Sequence, residues 1–155
     1  MLHSIHRLLL VAFLGALALF ATTVTPALFA TLPPGSAAGV VGRVLPVLDG
    51  AGLVLGLLAV ALGATGRSGR AAVVLGAVLA ALAAASLFVL TPEMARLRQA
   101  AGDTLSHLPP TDPTRRRFGM LHGLSTVLFG LQAVLAVALV ALRPGRSAPR
   151  GRTGR

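Results

Sequence analysis

The sequence contains no cysteine, no tryptophan, no tyrosine and no lysine, and it has only four acidic residues. Without cysteine there is no disulfide framework and no thiolate metal site. Without tryptophan or tyrosine the aromatic belt common at membrane boundaries is missing. So few carboxylates leave too little mixed charge for a water-soluble domain to cover itself. What remains is 55% hydrophobic and 12% charged, with a mean hydropathy of +0.83. An integral membrane protein is the expectation. All fourteen basic residues are arginine, and with abundant alanine and glycine this suggests a GC-rich bacterial genome. A net charge of +10 would suit a nucleic-acid binder, but the arginines flank apolar runs and no aromatic platform accompanies them. The expected partners are therefore the bilayer and anionic headgroups at the Arg-rich ends, with no nucleic acid.

Four apolar runs meet the roughly 20 residues needed to cross about 30 Å of hydrocarbon: about 8–29, 44–65, 71–90 and 118–142, the second with a start as early as Ala37. At these lengths only helices satisfy every backbone group in lipid. The fold class read from the sequence is all-α, an integral membrane four-helix bundle over 1–142, followed by a disordered Arg-rich tail over 143–155. The opening "MLHSIHR" and the apolar run after it also resemble a signal peptide. Cleavage before Thr31 would place Leu28 in the outer small-residue position with Pro26 nearby, so an uncleaved first span is expected.

Orientation follows the arginines near the span ends. With the N-terminus inside, Arg7, Arg67, Arg70, Arg143, Arg146, Arg150, Arg152 and Arg155 are cytoplasmic, and Arg96, Arg98, Arg115, Arg116 and Arg117 are outside, joined by Arg43. A multi-pass protein of the cell membrane with both termini cytoplasmic is expected. Phe29, Phe88 and Phe118 then lie near the outer face.

Helices associate in lipid where small residues let backbones approach. Gly52, Gly56, Ala59 and Gly63 recur at helical spacing in the second run, Gly76, Ala80 and Ala83 in the third, and Gly119, Gly123 and Gly130 in the fourth. The GxxxG matches are assigned to packing within one chain. In the fourth run His122, Ser125, Phe129 and Gln132 fall within an arc of roughly 80°, with Thr126 and the glycines beside it. This predicts an inward polar seam of His122, Ser125 and Gln132, with the leucine and valine side facing lipid.

Ionisable residues at membrane depth are functional candidates, because each costs at least about 2.5 kcal/mol at the bilayer centre. Arg43, Asp49 and His122 qualify. Arg43 and Asp49 lie about 120° apart round a helix and need separate partners. Either Arg43 snorkels to the outer interface, or one pair forms across the bundle, Asp49 with His122 or Arg43 with Glu93. Thr25-Pro26 and Thr91-Pro92 close the first and third runs, and their surroundings are faintly alike. Pro26 should kink or loosen its helix, with Thr22, Thr23 and Thr25 answering freed carbonyls. Thr91 reads as the cap of a new surface helix ending near Gly102. His3 and His6 make an incomplete metal pair. No phosphate loop, dinucleotide fingerprint, nucleophile elbow or zinc signature is present, so no enzyme activity, cofactor or metal is expected.

A first run ending "TPALFATLPPGSAAGVVGRVLPVL", a third leaving through "LFVLTPEMARLR" and a fourth opening "FGMLHGLSTVL" resemble the transmembrane protein 205-like family, also called domain of unknown function 4149. The resemblance runs from about Leu8 to Leu142 and implies a four-helix membrane protein without assigned chemistry. Family-like positions are Pro26, Phe29, Gly42, Pro46, Thr91, Pro92, Arg96, His122 and Ser125. After Pro46, where aromatic or basic residues are expected, the chain reads "VLDG", which makes Asp49 particular to it. Three functions are compatible: a structural or accessory bundle, the leading expectation; a small transporter or permeation subunit with Asp49, Arg43 and His122 round one cavity; and a haem- or metal-associated membrane protein, disfavoured by the lone intramembrane histidine of the fourth run.

Overall fold

The computed structural model describes residues 2–65, 69–101, 105 and 108–142. Among these there are four long helices and no strand: α1 (Leu2–Thr31), α2 (Pro34–Ala64), α3 (Gly69–Ala101) and α4 (Pro113–Ala141). Each is long and apolar enough to cross a membrane, so the chain is a multi-pass membrane protein. At 1.5 Å per residue the helices measure about 44–50 Å, more than hydrocarbon alone requires, and their ends extend into the headgroups or tilt. The Arg-rich tail expected over 143–155 lies outside the described residues.

The helices form a ring in which each packs on its chain neighbours and α4 closes against α1. The contact between α2 and α3 is the closest. A Cβ on Gly56 would lie 2.6 Å from the Ala80 backbone nitrogen and 2.7 Å from the Gly76 carbonyl oxygen, and one on Gly76 would lie 2.7 Å from the Gly56 carbonyl oxygen. Only glycine lets the two backbones come this near, and close approach is how helices gain van der Waals energy where lipid offers no hydrophobic drive. Gly63 repeats the device against Val73. The core between the helices holds Leu10, Phe13, Leu17, Leu55, Leu79 and Leu139. Outside, Leu8, Val47, Val54, Val74, Val134 and Val137 stand exposed, as an acyl-chain solvent requires.

The glycines of α4 behave differently from those of α2 and α3. Nothing lies within 4 Å of a Cβ built on Gly119, Gly123 or Gly130. The buried face of α4 is Ser125, Leu128, Gln132, Ala136 and Leu139, and these glycines point roughly 140–180° away from its centre at 100° per residue. The expectation that they mark an internal contact is corrected.

Both Thr-Pro pairs lie within continuous helices and directly follow a π-helical turn, Phe20–Val24 before Thr25-Pro26 and Ser86–Leu90 before Thr91-Pro92. In each, the threonine N–H donates to the carbonyl five residues back, Thr25 to Phe20 and Thr91 to Ser86. Proline has no N–H and its ring crowds the carbonyl four residues earlier, and a wider turn relieves both problems without ending the helix. Thr22 Oγ1 also donates to the Ala18 carbonyl at 2.8 Å. Thr91 therefore does not cap a separate surface helix: its φ and ψ are helical, −61° and −48°, and α3 runs through it to Ala101.

Candidate functional site

Asp49 stands at the midpoint of the 31-residue α2 and is 3% exposed. Two helices answer it. Ser86 Oγ of α3 donates to Asp49 Oδ2 at 2.7 Å, and Gln132 Nε2 of α4 donates to Asp49 Oδ1 at 2.8 Å. Ser86 and Gln132 are themselves buried, at 3% and 1% exposure. The nearby Gly52 makes the room: a Cβ there would fall 2.7 Å from Gln132 Oε1 and 3.2 Å from Phe13 Cζ of α1. Three helices thus meet round one carboxyl group, and α1 packs beside it at Gly52 through Phe13.

The local sequence explains each contribution. Asp49 and Gly52 are one turn apart on α2, so the carboxyl and the gap it needs share a face. Ser86 opens the π turn that Pro92 favours, and the extra residue in that turn sets how Ser86 faces relative to the helix beyond it. Gln132 lies on the buried face of α4 and reaches α2 across the bundle. No buried side-chain nitrogen or oxygen among the described residues lacks a hydrogen-bond partner, as hydrocarbon demands.

The expected polar seam divides. Ser125 and Gln132 are buried, whereas His122 is exposed and departs from the expectation. The buried arc of α4 centres near Gln132, and His122 lies about 80° from that centre at 100° per residue, which puts it at the margin. Its ring stacks on Phe118, with centroids 6.3 Å apart and planes 4° from parallel. Arg43 is exposed too. Asp49 is buried and bonded to Ser86 and Gln132 rather than to His122, and Glu93 pairs not with Arg43 but with Arg117 at 2.7 Å and Arg96 at 3.8 Å. Of the resemblance-derived positions, Pro26 and Pro92 are exposed and Pro46 and Thr91 half-buried. Gly42 lies beside Arg98, whose Nη1 would be 3.2 Å from a Cβ there.

Two buried polar residues escaped sequence reasoning. Ser86 follows a run of alanines, and the Thr-Pro five residues on is the one signal in the sequence that its turn is unusual. His6 is 8% exposed, and its Nε2 donates to the Leu55 carbonyl of α2 at 3.0 Å. Among the described residues no group of three or more His, Cys, Asp or Glu is placed to hold a metal.

No curated protein and no solved structure matches the chain. A family model, described as a domain of unknown function (DUF4149), matches residues 8–103, which covers α1 from its first apolar turn through the end of α3. The match includes Asp49 and Ser86 and stops before α4, so Gln132, and the family-like positions His122 and Ser125, lie beyond it. With well over half of its 155 residues matched, the chain belongs to the DUF4149 family.

Proposed function

We propose that this protein is a non-enzymatic structural or accessory four-helix bundle of the cell membrane, with both termini on the cytoplasmic side. The observation that carries the reading is the closed hydrogen-bonded knot of Asp49, Ser86 and Gln132. A group in a permeation path exchanges partners with water or cargo. Here both carboxyl oxygens are taken by side chains of the bundle itself, which suits a group that fixes helix register. The exposure of Arg43 and His122 beside a buried Asp49 supports the same reading, and the arginine count at the span ends supports the orientation.

A second reading keeps Asp49 as a proton or cation carrier, favoured by the high cost of placing any carboxyl at that depth. Proteoliposomes holding the full chain and a pH- or cation-sensitive dye separate the two. The structural reading expects flux equal to that of empty vesicles and, for Asp49→Asn, a lower unfolding temperature without a flux change. Flux above the empty-vesicle level that Asp49→Asn abolishes would overturn it. Accessibility of N- and C-terminal tags to protease in right-side-out vesicles tests the orientation: cleavage of either tag reverses it.

A further inference from the structure

A groove of about 420 Å³ runs along the outer surface of the bundle between α3 and α4. Its polarity changes along its length. At the deeper end it is lined by Phe88, Val89 and Leu121, and at the shallower end by Glu93, Arg96 and Arg117. The two helices are antiparallel, and both give the same direction: on α3 the apolar residues precede the charged ones, and on α4 Arg117 precedes Leu121. Each helix passes here from an apolar span into an arginine-bearing end, so the groove crosses from hydrocarbon to headgroup level.

The charges at the mouth are unbalanced. Glu93 Oε1 receives Arg117 Nη2 at 2.7 Å, and Arg96 Nη1 lies 3.8 Å from Oε2. Two guanidinium groups thus share one carboxylate. Their side chains are 79% and 62% exposed while that of Glu93 is 26% exposed, so both cations present N–H groups outward. Phe88 and Val89, 66% and 63% exposed, offer an apolar floor directly below.

We propose that this groove binds one anionic glycerophospholipid, with its phosphate between Arg96 and Arg117 and an acyl chain laid along Phe88, Val89 and Leu121. A phosphate oxyanion matches the guanidinium fork. The lipid's own order, charge above hydrocarbon, is the order of the groove. Glu93 competes with the phosphate for both guanidinium groups.

The test is native mass spectrometry of the full chain released from detergent after incubation with equal amounts of phosphatidylglycerol and phosphatidylcholine. The expected result is retention of phosphatidylglycerol over phosphatidylcholine by about fivefold or more, the scale set by one arginine near a charged surface. Arg96→Gln with Arg117→Gln should bring the two lipids to parity. Glu93→Gln should raise phosphatidylglycerol retention, because it removes the competing carboxylate, and this opposite sign keeps the test decisive if the double variant is poorly folded. Millimolar inorganic phosphate or glycerol phosphate should not displace the lipid. Equal retention of the two lipids by the unaltered protein, a fall in retention for Glu93→Gln, or displacement by free phosphate would each overturn the proposal.

Discussion

Ser86 and Asp49, 37 positions apart in the chain, meet with Oγ 2.7 Å from Oδ2 because a π turn on α3 opens at the level of the α2 midpoint. Gln132 takes the other oxygen at 2.8 Å. Removing one member leaves the others in hydrocarbon without an alternative donor or acceptor. Ser86→Ala and Gln132→Leu should each lower stability by about 0.6–2 kcal/mol. Combined with Asp49→Asn in double-mutant cycles they should be clearly non-additive. Unfolding followed by circular dichroism in a fixed detergent measures this, and strict additivity would show that the three residues do not act together.

Glycines separate into two populations that substitution distinguishes. Gly56→Leu or Gly76→Leu drives a side chain into backbone atoms already within 3 Å of the Cβ position and should abolish the stable monomer fold or separate α2 from α3. Gly123→Leu meets nothing within 4 Å and should change stability by no more than about 0.5 kcal/mol. Size-exclusion profiles and thermal melts of the three variants check the contrast.

His122→Leu is expected to leave stability within about 0.5 kcal/mol of the unaltered protein, because the ring is exposed and its neighbour Phe118 can pack on leucine equally well. His6→Leu removes the donor to the Leu55 carbonyl, 3.0 Å away at a buried position, and should lose about 0.6–1.7 kcal/mol. Melting both variants side by side ranks the two histidines. A larger loss at His122 would contradict the placement of α4.

Pro92→Ala restores an N–H that can complete an ordinary α-helical turn. If Pro92 holds the π turn in place, the variant should let Ser86–Leu90 revert toward α-helix and rotate Ser86 away from Asp49. Stability should fall although alanine is the better helix former, and Ser86→Ala added to Pro92→Ala should then cost less than Ser86→Ala alone. Equal cost in both backgrounds would mean that the π turn does not depend on the proline.

The uninterrupted apolar lengths of the sequence determined that this is a helical membrane protein, since lipid admits few backbone solutions and length alone selects among them. The small residues of α2 and α3 also announced their contact, because Gly56 and Gly76 recur at helical spacing on faces that can meet. Residue types did not reveal which side of α4 turns inward. Its glycine side and its Ser125–Gln132 side each carry small or polar residues, and periodicity gives relative angles round one helix without fixing the rotation of that helix against its neighbours. His122 was therefore grouped with a seam whose edge it only borders. Ser86 was equally hidden, since the register that presents it to Asp49 depends on a widened turn and on how deep α3 sits beside α2. The solvent and the number of crossings were written in composition; the pairing of Asp49 with Ser86 and Gln132 was decided only when three helices took up mutual depth and rotation, quantities that no single run of residues contains.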